Sequence, residues 1–183
     1  MSNSKRYCIL TIGKTHSGKS TFARSLERDC SNCLVIDQDI QAAFLQSNYP
    51  KLVPTDGENF IKYALSDTIV KYAMLHTSFH LILCNANLNE KGRNTLINRL
   101  TSQGLEVIVV KFDLPYEVLK KRVIESNRDA KILRTIDSFE ELLERQKKLP
   151  LPDHLEHLYK EFVIRREEDV AEVIQKIKGV LEG

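Results

Sequence analysis

The string GKTHSGKS at residues 13–20 constrains this chain more than any other feature. It satisfies G-x-x-x-x-G-K-[ST] at every fixed position, and the spacing has a mechanical meaning. The glycines let the backbone wrap so that successive N–H groups point inward at an anion, and the positive end of a following helix adds to the field. The wrap works where a buried strand runs into a helix, and both neighbours are present. Residues 7–12 (YCILTI) read as a buried first strand, and the helix opening at Lys19 puts Phe22 and Leu26 on one face.

The same alternation continues to the end of the chain. Short apolar runs at residues 33–36, 79–84, 107–112 and 162–164 read as further strands. Between and after them lie helical patterns. Residues 58–75 carry Ile61, Ala64, Leu65, Ile69, Tyr72 and Ala73 at helical spacing, and residues 90–100 form a second such stretch. Pro115 opens a helix with Val118, Leu119 and Val123, and another holds Phe139, Leu142 and Leu143. Val170, Val173, Ile174, Ile177 and Leu181 make the clearest amphipathic helix. Five apolar strands joined by helical crossovers predict an α/β fold of the small-kinase P-loop type: a parallel five-stranded sheet with helices on both faces. With 183 residues, 42% of them hydrophobic, and no linker or repeat, the expectation is one domain spanning residues 1–183. Residues 126–137, charged and without an apolar face, are its expected lid.

The charge balance of 27 basic to 25 acidic residues points to no polyanionic or membrane partner by itself. No apolar run is long enough for a signal sequence or a spanning helix, so a cytoplasmic protein without membrane contact is expected. Cys8, Cys30, Cys33 and Cys84 then read as reduced thiols; Cys30 and Cys33 form a lone CxxC whose second member opens a strand, an arrangement that fits neither a zinc ribbon nor a redox helix. His154 and His157, beside Asp153, read as surface residues.

The cradle predicts ATP with magnesium. Gly13, Lys14, Thr15, His16, Ser17, Gly18, Lys19, Ser20 and Thr21 are the expected nucleotide contacts, with Lys19 on the β- and γ-phosphates and the Ser20 hydroxyl on magnesium. Beyond the second strand, Asp37 and Asp39 lie where carboxylates project over the sheet edge. One would support magnesium and the other accept the proton of an attacking hydroxyl; capping of a helix at residues 40–46 competes for Asp39. Arg122, Arg128, Lys131 and Arg134 are candidates to close over the transferring phosphoryl group, and Arg128 and Arg134 lead because Arg122 has Glu125 within helical reach. Tyr159 and Phe162 are candidates to flank adenine, with core packing the stronger expectation for Phe162.

Taken in order, the cradle, the Asp37/Asp39 pair, the string NANLNEKGRN at residues 85–94 and the arginine segment resemble the polynucleotide-kinase-like P-loop kinases over nearly the whole chain. Asn87, Leu88, Asn89 and Arg93 keep that family's pattern after the third strand. The resemblance implies ATP-dependent phosphorylation of a hydroxyl on a nucleic-acid end, nucleoside or other small molecule, with Asp39 or Asp37 as base and Arg128 in the lid. Two positions depart from it. Cys84 and Asn85 stand where the family has an acidic residue, and Gln41 and Ala42 stand where polynucleotide kinases place an arginine. An ATP-binding regulatory module, or an ATPase with weakened kinase chemistry, is the competing reading. A nucleic-acid-binding surface built on Lys120, Lys121, Arg122, Lys147 and Lys148 is a third.

Overall fold

The computed structural model describes residues 5–128 and 137–183. Its centre is one parallel sheet of five strands: β1 (Arg6–Gly13), β2 (Cys33–Asp37), β3 (His80–Cys84), β4 (Leu105–Phe112) and β5 (Lys160–Ile164), in the spatial order β2-β3-β1-β4-β5. Between them run α1 (Lys19–Asp29), α2 (Gln38–Asn48), α3 (Phe60–His76), α4 (Glu90–Ser102), α5 (Tyr116–Ile124) and α6 (Phe139–Lys147), with α7 (Asp169–Leu181) last. The predicted α/β class is the observed one.

Because successive strand residues face opposite sides, β1 feeds two cores. Ile9, with Ile82 and Ile108 beside it in register, packs against Phe22 and Leu26 of α1 and Ile174 and Ile177 of α7. Cys8, Leu10 and Ile12 turn the other way, toward Val70 and Ala73 of α3 and Ile97 and Leu100 of α4. The middles of β1, β3 and β4 (residues 7–10, 81–83 and 107–110) are unbroken apolar runs because neither face is left to water. A third, smaller cluster joins Leu119 and Val123 of α5 to Phe139 and Leu143 of α6.

The difference from the predicted element bounds that matters for the site lies after β2. The helix begins at Gln38, two residues earlier than expected, and its N-cap is Asp37, whose side chain accepts from the Asp39 N–H at 2.9 Å. Capping therefore falls to Asp37 and frees Asp39, which sits in the first turn. The remaining ends move by one or two residues.

Order within the sheet decides where ligands enter. β2 and β3 lie to one side of β1 and β4 and β5 to the other, so the connections diverge at the carboxyl end of β1, where a crevice opens. Gly13, Asp37 and Cys84 all end at this edge, with Asp37 and Cys84 register partners. Among the described residues, no helix is long and apolar enough to cross a membrane.

Gly13 has almost no space around it: a Cβ there would lie 2.8 Å from Phe112 Cβ and 2.9 Å from Ser17 Oγ. Gly13→Ala is expected to overpack the root of the cradle and cost about 1–3 kcal/mol, read as a lower urea midpoint with unchanged slope.

Candidate active site

The cradle takes its shape from two left-handed residues, His16 (φ 57) and Gly18 (φ 96), the second being the N-cap of α1. Such a turn gathers N–H groups into an anion-binding concavity at the helix start. Lys19 folds back over it, donating from Nζ to the Lys14 carbonyl at 2.6 Å and to Ser17 Oγ at 3.2 Å. Burial pushes the Lys19 ammonium down to about 8, and the nearby Arg128 cation acts in the same direction against Cys84, Asp39 and Asp37.

The Ser20 hydroxyl donates to Asp37 Oδ2 at 2.9 Å and lies 3.6 Å from Cys84 Sγ. Asp37 is buried, with one oxygen on the helix cap and the other on Ser20. A hydroxyl and a carboxylate oxygen held together at the mouth of a phosphate cradle suit magnesium, a hard cation that takes few protein ligands and completes its shell with phosphate and water. The Cys84 thiol is a poor supplement, since burial and then the Asp37 carboxylate push it up to about 11. No cluster of three or more His, Cys, Asp or Glu residues able to hold a metal occurs among the described residues.

Asp39 points the other way from Asp37, and its Oδ2 meets Arg128 Nη2 at 2.9 Å. Both groups are solvent-accessible, so the pair adds about 0–1 kcal/mol to stability; what it does is bring the two residues together. The Arg128 guanidinium lies over the Phe139 ring, 4.9 Å from its centroid, and the His16 ring meets Phe139 edge-on at 4.9 Å. His16 is held toward its neutral form by burial and by the Arg128 and Lys19 charges.

A cleft of about 770 Å³ collects these groups: His16, Lys19, Ser20, Asp37, Asp39 and Arg128 all line it. A second cavity of about 540 Å³ shares Ser17, Gly18, Thr21 and Arg122 with it and extends past α1 to Arg166, Glu167 and Val170.

Several residues behave differently from their sequence expectation. Arg122 does not pair with Glu125: it bonds Glu167 at 3.0 Å and reaches the His16 carbonyl at 3.4 Å, because α5 turns that face to the cradle, and Glu125 pairs with Lys121 instead. Tyr159 and Phe162 are not placed to flank a base. Tyr159 packs on Tyr7 at the opposite end of the sheet, and Phe162 belongs to the core, whereas the cavity beyond the cradle is bounded by residues that follow β5. Asn87, Asn89 and Arg93 shape the chain after β3: Asn87 bonds the Thr11 carbonyl, Asn89 caps α4, and buried Arg93 ties the carbonyls of Asn87 and Leu88. All four cysteines are free, and His154 and His157 are exposed. Lys131, Arg134 and most of the expected lid lie outside the described residues.

Two residues of the site carry no sequence signal. Gln146, buried on α6, accepts from the Thr15 N–H at 2.6 Å, and Phe139 stands between His16 and Arg128. Nothing in the order of residues announces that α6 returns to the cradle.

Residues 8–149 match the AAA domain family, which covers well over half of the chain. The chain belongs to the AAA domain family. Its fold is shared with solved P-loop kinases. An APS kinase from Mycobacterium tuberculosis, solved with AMPPNP and APS, has a TM-score of 0.59 at 16% identity over 98% of this chain and 99% of that one. A shikimate kinase from Bacteroides thetaiotaomicron has 0.55 at 13% over 97% and 99%. Kti12 from Chaetomium thermophilum, solved with ADP-AlF3, has 0.63 at 20% over 96% and 100%. Identities this low carry the fold alone. No curated protein matches the sequence.

Two outcomes follow from the contacts. Gln146→Leu leaves the buried Thr15 N–H without an acceptor and is expected to cost about 1–3 kcal/mol, measured by urea denaturation. Because phosphate favours the charged form of Lys19, whose ammonium in the ligand-free protein titrates near 8, nucleotide affinity is expected to hold steady below pH 8 and fall above it. The loss at pH 9 should be roughly tenfold, with the slope absent in Lys19→Met, as fluorescence titration at several pH values would reveal.

Proposed function

We propose that this chain is an ATP- and magnesium-dependent phosphotransferase that moves the γ-phosphoryl group to a hydroxyl acceptor. The observation that carries the reading is the convergence of Lys19, Ser20, Asp37, Asp39 and Arg128 on one cleft at the carboxyl edge of the sheet. A nucleotide-binding module needs the first three. It has no use for an unburied carboxylate beside a guanidinium at the mouth.

In this reading the cradle N–H groups and Lys19 hold the β- and γ-phosphates, and the base occupies the cavity beyond Gly18 and Thr21, between Arg122 and Arg166. Ser20 and Asp37 would hold magnesium, which would supply positive charge against the phosphate oxygens. Asp39, freed from capping, accepts the proton of the attacking hydroxyl. Arg128 moves from the Asp39 carboxylate toward the transferring group, where the transition state spreads negative charge. The motif order that resembles polynucleotide-kinase-like enzymes supports a nucleoside or nucleic-acid end among the acceptors; Gln41 and Ala42, in place of an arginine, favour small molecules as well.

The competing reading, a regulatory ATP-binding module with weakened chemistry, draws on Cys84 and Asn85. Cys84 stands beside Ser20 where a carboxylate would aid the metal, and the Asn85 side chain is turned to Gln38 at 2.8 Å.

Asp39→Asn is expected to lower γ-phosphoryl transfer by about 10²–10⁴-fold with ATP affinity unchanged. Transfer from γ-labelled ATP across an acceptor panel measures it, and an unchanged rate in the variant would remove Asp39 from the reaction. ATP binding without transfer to any acceptor would favour the regulatory reading.

A further inference from the structure

We infer that His16 brings its imidazole as well as its backbone to the nucleotide: Nε2 of the ring donates a hydrogen bond to the γ-phosphate, so the side chain distinguishes a nucleoside triphosphate from a diphosphate. The inference rests on the nucleotide-binding part of the proposed function and adds a side chain that reads the transferring group.

Several costs meet at this residue. Its φ of 57 is a left-handed conformation that glycine takes freely and a residue with a Cβ takes under strain. Its Nε2 is buried and has no hydrogen-bond partner among the described residues, although a buried polar atom ordinarily finds one. The Arg128 and Lys19 cations both act on the ring, with Glu140 opposing them. The fold gains little in return. The turn asks only for a left-handed backbone, which glycine supplies at Gly18, and the edge-on contact with Phe139 needs a ring but no Nε2. Strain and an orphaned polar atom kept together at a ligand site point to a partner that arrives with the ligand.

The ring's other contacts set the chemistry of that partner. Nδ1 lies 2.9 Å from the hydroxyl of buried Thr15. When that hydroxyl donates to Nδ1, the proton of the neutral imidazole sits on Nε2. An Nε2–H needs an acceptor, and phosphoryl oxygens are the acceptors that a nucleotide brings to this cleft. The surroundings set the place. His16 lines the cleft with Lys19, Ser20, Asp39 and Arg128, and its ring stands against Phe139, whose face carries the Arg128 guanidinium. The backbone N–H groups of the cradle surround the inner phosphates, and Lys19 reaches from them to the γ-phosphate. A side chain that leaves the cradle toward Arg128 therefore meets the outermost phosphate, the one that faces the acceptor.

The test titrates the whole protein, with magnesium present, against β,γ-imido-ATP and against ADP by calorimetry. The ratio of the two affinities should fall about tenfold in His16→Gly, which relieves the backbone, and in His16→Asn, which tolerates the left-handed turn and lacks an atom at the Nε2 position. A general disturbance of the cradle enters both affinities and cancels from their ratio. The unaltered protein gives a second readout: in NMR spectra of the imidazole, the ring should carry its proton on Nε2, and that proton should move downfield when imido-ATP replaces ADP. A ratio that survives both substitutions, or an Nε2 without a proton in the imido-ATP complex, would overturn the inference. Failure of the kinase reading looks different. A lowered ratio in the variants, with no γ-phosphoryl transfer by the unaltered protein to any acceptor, would keep His16 as the triphosphate contact of a regulatory module. Transfer by the unaltered protein with an unchanged ratio in the variants would keep the kinase and remove His16.

Discussion

The structure hangs on β1 being dry on both faces. It pairs with β3 on one side and with β4 along its whole length on the other, and its side chains alternate between the two main cores. A strand so enclosed can lead to a ligand only through its end, and that end is Gly13, where the cradle begins. The approach of Phe112 to Gly13 leaves no room for a side chain, so the cradle is rooted in close-packed structure. Preorganised N–H groups are worth more than mobile ones, because no ordering remains to be done when an anion arrives.

From this root the remaining parts of the site are set by register and by caps. Asp37 and Cys84 are neighbours because β2 and β3 pair in parallel, and both converge on Ser20 because α1 starts where β1 stops. Capping by Asp37 turns Asp39 outward to Arg128, so two carboxylates two residues apart acquire different surroundings. One hydrogen bond at a helix start thus separates a carboxylate held on Ser20 from one held on Arg128. On the far wall, α5 and α6 share a small core of their own and touch the cradle through Arg122, Phe139 and Gln146. That arrangement couples the arginine wall to the phosphate loop through a few side chains.

Much of this was legible beforehand. The cradle string fixed strand, turn and helix together, because its glycines have no purpose elsewhere, and the apolar runs fixed a parallel sheet because both faces had to be covered. The misread residues share a cause. Helical spacing offers Arg122 the partner Glu125, yet its partner Glu167 is 45 residues away; nearness to the last strand suggests Tyr159 for the nucleotide, yet it precedes that strand and so lies at the end of the sheet away from the cradle. Asn87, Asn89 and Arg93, which keep the pattern of the resembled family, serve to fold the loop after β3.

The sequence by itself determined the α/β sheet, the cradle at residues 13–20 and the short list of charged groups near it, since each depends on local spacing and on the period of burial. Only the tertiary structure decided which groups meet. The Asp37 bond to Ser20, the Asp39 pair with Arg128 and the return of α6 to Thr15 all join residues distant in the chain. Such contacts follow from strand order and helix packing, which no local pattern encodes.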